Sequence, residues 1–125
     1  MQIQIQKYTA QVLRGDQIGR QINYPTINLN PLTLPPNLKR GVYASQVWVG
    51  GQAYQGALYF GPRVVKNEEF DVLEIYLLDF EGELYEQAVE FTLEKFIRGV
   101  MDFPTLEELR LQIKQDILAV KEALS

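Results

Sequence analysis

Gly41-Val-Tyr-Ala-Ser-Gln-Val-Trp-Val49 and Gln52-Ala-Tyr-Gln-Gly-Ala-Leu-Tyr-Phe60 stand on either side of Gly50-Gly51. Two runs rich in β-branched and aromatic residues around a glycine pair are a strong hairpin signal. A two-residue turn that matches strand twist needs positive φ, which glycine supplies at no steric cost. Toward the N-terminus, Asn30 to Asn37 holds three prolines and reads as a loop, since proline cannot donate to a ladder. Before it, Tyr8 to Leu13 and Pro25 to Leu29 read as two strands joined by a glycine-bracketed loop. Toward the C-terminus, Gly61 to Glu69 has no pattern, and Asp71 to Phe80 and Gln87 to Phe96 flank Glu81-Gly82-Glu83 as a second hairpin. In the last strand Val89, Phe91 and Leu93 alternate with Glu90, Thr92 and Glu94, which gives one core face and one wet face. Pro104-Thr105 with Glu108 three residues on fits a capping box, after which Leu109, Ile113, Ile117, Val120 and Leu124 share one helical face. Six short strands and one helix predict a mainly β fold. The expected form is a small antiparallel barrel, a single domain over residues 1–125, with the helix outside it or across one end.

The chain has 125 residues, enough to bury a core without staples. Hydrophobic residues make up 46% and charged residues 22%, ordinary values for a soluble domain. The apolar runs are too short for a membrane span, and Met1-Gln-Ile-Gln-Ile-Gln-Lys7 lacks the form of a signal peptide. A net charge of −4 argues against a nucleic-acid partner, and Lys39-Arg40 is too short to be a basic stripe. Absence of cysteine excludes disulfides and thiolate chemistry and makes the cytoplasm the default location. Absence of histidine excludes imidazole bases and histidine-ligated zinc. A general base near neutral pH is then a carboxylate, or failing that a lysine or tyrosine, and a metal is a hard cation held by oxygen.

Two places carry chemistry. In Gly15-Asp-Gln-Ile-Gly-Arg-Gln-Ile-Asn-Tyr-Pro-Thr-Ile-Asn-Leu29, a glycine-flanked loop bearing Arg20 runs into Pro25-Thr26-Ile27-Asn28. Strand alternation puts Thr26 and Asn28 on one face and Ile27 on the other. A hydroxyl and a carboxamide beside backbone N–H groups and a cation suit a magnesium–nucleotide complex. Threonine is also a good strand former, and Asn28 ahead of Asn30-Pro31 also suits the start of a turn. The loop is no P-loop and holds no Gly-x-Gly-x-x-Gly. Glu74, in Val72-Leu73-Glu74-Ile75-Tyr76-Leu77-Leu78, is a lone carboxylate with apolar residues on both faces around it. It is either a functional group that faces a dry interior with a partner or a solvated residue at a barrel rim.

Gly15…Gly19-Arg20…Pro25-Thr26-Ile27-Asn28-Leu29, then Gly41-Val42-Tyr43-Ala44, Tyr54-x-Gly56, Leu73-Glu74-x-x-Leu77-Leu78-Asp79-Phe80, Leu84-Tyr85 and Arg98…Phe103 occur in one order. That series, with the closing helix through Leu109, Ile113 and Asp116, resembles the ATP-dependent riboflavin kinases over nearly all of residues 8 to 120. The resemblance implies a six-stranded Greek-key barrel with a C-terminal helix. It implies Mg²⁺-dependent transfer of the ATP γ-phosphate to the 5′-hydroxyl of riboflavin, giving FMN. Thr26 and Asn28 would contact Mg²⁺ and the phosphates, with Gly15, Gly19 and Arg20 beside ATP. Glu74 would be the base at the 5′-hydroxyl, and Leu77, Asp79, Tyr85, Arg98 and Phe103 would line the flavin side. A monomer is expected, acting on these two small molecules with no nucleic-acid or membrane partner, and FAD synthesis is not expected.

The chain departs from the family pattern at several points. Asn23 stands where a glycine is usual, and the second Pro-Thr gives way to Pro62-Arg63-Val64-Val65. Tyr76 replaces a histidine, Glu86 replaces the glycine after Leu-Tyr, and Gly99-Val100-Met101 replaces a more charged stretch. The alternative expectation is accordingly a silent barrel that binds flavin or nucleotide as a carrier, sensor or regulatory module. Glu74 discriminates between the two, because a binding module has no need of it.

Overall fold

A computed structural model describes residues 5–14, 24–63 and 70–125. Its strands are β1 (Lys7–Gln11), β2 (Ile27–Leu29), β3 (Gly41–Val49), β4 (Gln52–Pro62), β5 (Asp71–Leu77), β6 (Ala88–Thr92) and β7 (Lys95–Arg98), followed by helix α1 (Leu106–Leu124). The β3–β4 hairpin pairs from Gly41↔Phe60 to Val49↔Gln52. Its turn has φ of 56° at Gly50 and 86° at Gly51, the double positive φ that a twisted two-residue hairpin requires.

One antiparallel sheet runs in the order β1-β6-β3-β4-β5-β2, with β7 also on β3. Strands β3, β4 and β5 are consecutive neighbours, and β6 returns beside β3, which is the Greek-key arrangement. The two edges of the sheet meet at an antiparallel bridge between Leu13 and Asn28, where the Leu13 N–H donates to the Asn28 carbonyl at 2.7 Å. The sheet thus curls on itself, and Val47, Leu58, Leu73, Ile75, Val89 and Phe91 fill its interior at 1% exposure or less.

Two expectations need amendment. The strand expected from Gln87 to Phe96 is broken in two. The Thr92 hydroxyl accepts the Gln46 N–H at 3.0 Å and donates to Glu94 at 2.8 Å, so a side chain takes over a ladder bond and the strand kinks into β6 and β7. Both pieces still pair with β3, so the six-strand path holds. The expected hairpin at Glu81-Gly82-Glu83 does not form. β5 lies between β4 and β2, whereas β6 lies between β1 and β3. The connection carries Leu78 and Leu84, each 5% exposed, and burying both takes a crossing rather than a tight turn. Leu78 donates its N–H to Gln55, and Glu86 donates to Val12, at either end of that crossing.

The closing helix follows its sequence signals. The Thr105 hydroxyl accepts the Glu108 N–H at 3.2 Å, as an N-cap should. α1 packs outside the barrel against β3, β4 and β7, with Val120 and Asp116 as its buried residues.

Candidate active site

Cross-strand register assembles the site as a row. Asn28 of β2 pairs with Glu74 of β5, Glu74 with Tyr59 of β4, Tyr59 with Val42 of β3, and Val42 with Arg98 of β7. Directly opposed residues share a face of the sheet. Their neighbours Leu29, Leu58, Leu73 and Ile75 belong to the interior cluster, so the row lies on the outer face of the barrel. Because the Asn28 carbonyl turns toward Leu13, its pairing with Glu74 is the narrow, non-hydrogen-bonded kind, with Cα atoms about 4.5 Å apart. Thr26 immediately precedes β2 and is half-buried. The chain leading into it is held on β5 by the edge-to-face rings of Tyr24 and Tyr76, 5.4 Å apart.

Glu74 faces neither a dry interior nor open solvent. Its side chain is 22% exposed on the outer face, and its Oε1 lies 3.3 Å from Nη2 of Arg63, whose side chain is 16% exposed. Tyr59 completes the surroundings: its hydroxyl donates to the Pro62 carbonyl. Burial pushes the Tyr59 phenol up to about 12, against the pull of the Arg98 cation and with help from the charges of Glu74, Asp71 and Asp102.

Arg98, at the far end of the row, is clamped. Its Nε and Nη2 donate to the two carboxylate oxygens of Asp116 at 2.8 Å each, and its Nη1 donates to the Gly99 carbonyl at 2.9 Å. Gln112 adds a third bond to Asp116 at 3.0 Å. The guanidinium carbon lies 5.8 Å from the centre of the Phe103 ring, which brings those two flavin-side candidates together.

The other flavin-side candidates lie off this row. Leu77 is in the barrel interior at 5% exposure. Asp79 is exposed in the turn after β5 with φ of 59°. Tyr85 packs on the core from the crossing segment, with the Arg14 guanidinium 4.5 Å above its ring. Gly15, Gly19 and Arg20 lie outside the described residues, as does Asn23. Glu86, at the usual glycine position, has φ of 69°, a conformation that favours glycine.

Sequence reasoning passed over Arg63 and Tyr59 as functional groups, and it mentioned Asp116 only as part of the helix. Asp116 carried a signal, since it falls on the helical face of Leu109, Ile113 and Val120, where a charge needs a partner. Arg63 carried none, because its segment has no periodicity. Among the described residues no three Asp or Glu side chains gather as a metal cage.

The riboflavin kinase family model, flavokinase, matches residues 4–124. The chain belongs to the riboflavin kinase family. It is 34% identical over 113 residues to the bifunctional riboflavin kinase/FMN adenylyltransferase of Haemophilus influenzae, covering 90% of this chain and 36% of that protein. It is 36% identical over 111 residues to the RNA-binding riboflavin kinase RibR of Bacillus subtilis, covering 87% of this chain and 47% of that one. This chain therefore spans about a third to a half of the length of these relatives. Among solved structures it is similar to a Streptococcus pneumoniae protein described as a macrolide-efflux protein, at a TM-score of 0.78 and 26% identity over 94% of this chain and 38% of that one. The riboflavin kinase of Trypanosoma brucei shares the fold at a TM-score of 0.63 and 24% identity, over 94% of this chain and 78% of that one. No helix among the described residues is long and apolar enough to cross a membrane.

Proposed function

We propose that this chain is a working riboflavin kinase, residues 1–125 forming one module that transfers the ATP γ-phosphate to the 5′-hydroxyl of riboflavin and releases FMN and ADP. Family membership sets the reaction class, and one observation carries the assignment of residues. Asn28 and Glu74, remote in sequence, oppose each other on the outer face of the barrel.

In this reading Glu74 takes the proton of the 5′-hydroxyl as that oxygen bonds to the γ-phosphorus and the bond to the ADP oxygen breaks. Thr26 and Asn28 hold the metal–nucleotide complex. Their donor set fits Mg²⁺: two neutral oxygens beside a carboxylate suit an ion that takes most of its ligands from phosphates and water. When bound, Mg²⁺ supplies charge neutralisation on the β- and γ-phosphates. Gly15, Gly19 and Arg20 are assigned to the phosphates by the family resemblance alone.

Arg98 and Phe103 are assigned to the flavin ring. Three strand spacings separate Arg98 from Glu74, about 14 Å, and the ring of riboflavin is likewise set off from its 5′-hydroxyl by the ribityl chain. Leu77, Asp79 and Tyr85, which lie off the row, keep their flavin-side assignment from the resemblance alone. The retained Glu74 favours this reading over a silent binding barrel. We take the enzyme to act as a monomer, and we place it in the cytoplasm without a nucleic-acid partner on the strength of its cysteine-free composition and net charge of −4. The name of RibR makes an RNA-binding assay the natural check on the last point.

The test is FMN formation by the purified chain from riboflavin, ATP and Mg²⁺, followed by chromatography with fluorescence detection. Sustained Mg²⁺-dependent turnover is expected. Flavin or nucleotide binding without FMN would establish the silent barrel instead.

A further inference from the structure

We propose that Arg63 is the positioning residue for Glu74, holding the carboxylate on the row where Asn28 stands; this rests on the kinase reading above. Two observations carry it. The Arg63 guanidinium lies 3.3 Å from the Glu74 carboxylate, and both side chains are largely covered, at 16% and 22% exposure. A partly desolvated pair is screened far less than a surface one, so it fixes geometry that an exposed pair would not.

The segment bearing Arg63 is itself held in place. Pro62 pairs with Asp71, and the Tyr59 hydroxyl donates to the Pro62 carbonyl one residue before Arg63. Tyr59 in turn is the cross-strand partner of Glu74. The Tyr59 hydroxyl lies over Gly61, where a Cβ would come within 3.0 Å of it, so the chain from Tyr59 to Arg63 is fitted around this contact. One tyrosine therefore sits beside the carboxylate and also secures the strand end that delivers its cation.

A glutamate has three side-chain torsions, and a cation held at 3.3 Å restricts where its carboxylate can sit. A base must meet its proton within hydrogen-bond reach, and a misplacement of about 1 Å costs up to a hundredfold in rate. An ion pair that keeps the carboxylate on the row beside Asn28 removes that disorder before substrate arrives.

The experiment is a double-mutant cycle on FMN formation with Arg63→Met, Glu74→Gln and the pair, with KM for ATP and riboflavin measured for each. If Arg63 acts through Glu74, Arg63→Met lowers kcat by roughly tenfold to a hundredfold with each KM within about threefold. The double variant is then no slower than Glu74→Gln alone, and Arg63→Lys recovers part of the loss. Additive losses would overturn the inference, because Arg63 would then act independently of Glu74. A large rise in KM for ATP at unchanged kcat would overturn it as well, since Arg63 would be a nucleotide contact. If Arg63→Met does not fold, the same cycle with Arg63→Gln, which keeps a polar head, decides the question. A wild-type chain that makes no FMN would remove the kinase reading and this inference together, whereas an active wild type with additive losses removes only the inference.

Discussion

Two arginine–carboxylate pairs stand on the outer face of this barrel, and they are built differently. Arg98 and Asp116 meet through two parallel bonds of 2.8 Å, with Gln112 and the Gly99 carbonyl taking up further groups and Asp116 only 5% exposed. Arg63 and Glu74 meet at 3.3 Å, with the arginine as covered as Arg98 and the carboxylate more open at 22%. The first pair ties β7 to the helix and behaves as a clamp. The second leaves the carboxylate paired yet partly open to solvent. Identical chemistry serves attachment in one place and orientation in the other, and the exposure of the carboxylate, 5% against 22%, decides which.

The strongest way to break this comparison is to remove each carboxylate. Asp116→Ala should destabilise the fold by about 3 kcal/mol in denaturant unfolding, because it removes a buried carboxylate that takes three hydrogen bonds and leaves a largely covered guanidinium without it. Glu74→Gln should cost less than about 1 kcal/mol by the same measurement; equal costs would mean that both pairs are clamps. Turnover should show the reverse ranking. Glu74→Gln should cut FMN formation by about a hundredfold or more, the scale of a lost general base, with ATP binding intact. Activity near wild type would remove Glu74 from the chemistry.

Smaller effects sharpen the picture. Thr26→Ala should weaken Mg–ATP binding by about tenfold in titration calorimetry, the value of one hydrogen bond to a charged group. Unchanged affinity would leave Asn28 to be tested alone. Glu86→Gly, at φ of 69° and far along the chain from both pairs, should raise stability by about 1 kcal/mol without altering kcat. Tyr59 offers a pH signature. Its phenol is pushed up to about 12 chiefly by burial, so the folded state favours the neutral form. That contribution is complete below pH 10 and is lost as pH rises toward 12. Tyr59→Phe should therefore flatten the fall in Tm over that window, and an unchanged slope would assign the alkaline loss to other tyrosines.

Burial of Tyr59, the pairing of Glu74 and the choice of Arg98 as the partner of Asp116 were all invisible to periodicity. Glu74 looked isolated in sequence because its partner Arg63 sits in a stretch without pattern and its opposite neighbour Asn28 belongs to another strand. The false hairpin at Gly82 arose because a turn signature reports local backbone preference, whereas Leu78 and Leu84 needed the barrel end to bury them. The break at Thr92 had the same origin, since its hydroxyl serves a backbone N–H on β3.

The sequence by itself determined what depends on neighbours in the chain. Gly50-Gly51 set the hairpin, Thr105 capped the helix, alternation chose which residues of each strand could face inward, and the absent histidine and cysteine left a carboxylate as the favoured base. The ordered series of motifs carried the family, and the family model agrees. Only the tertiary structure decided which outward residues stand opposite one another. Register across β2, β5, β4, β3 and β7 is fixed by packing of the inner face, because a slip of one residue would turn Leu73 and Ile75 outward. The row from Asn28 through Glu74 to Arg98 is therefore a consequence of the core on its other side.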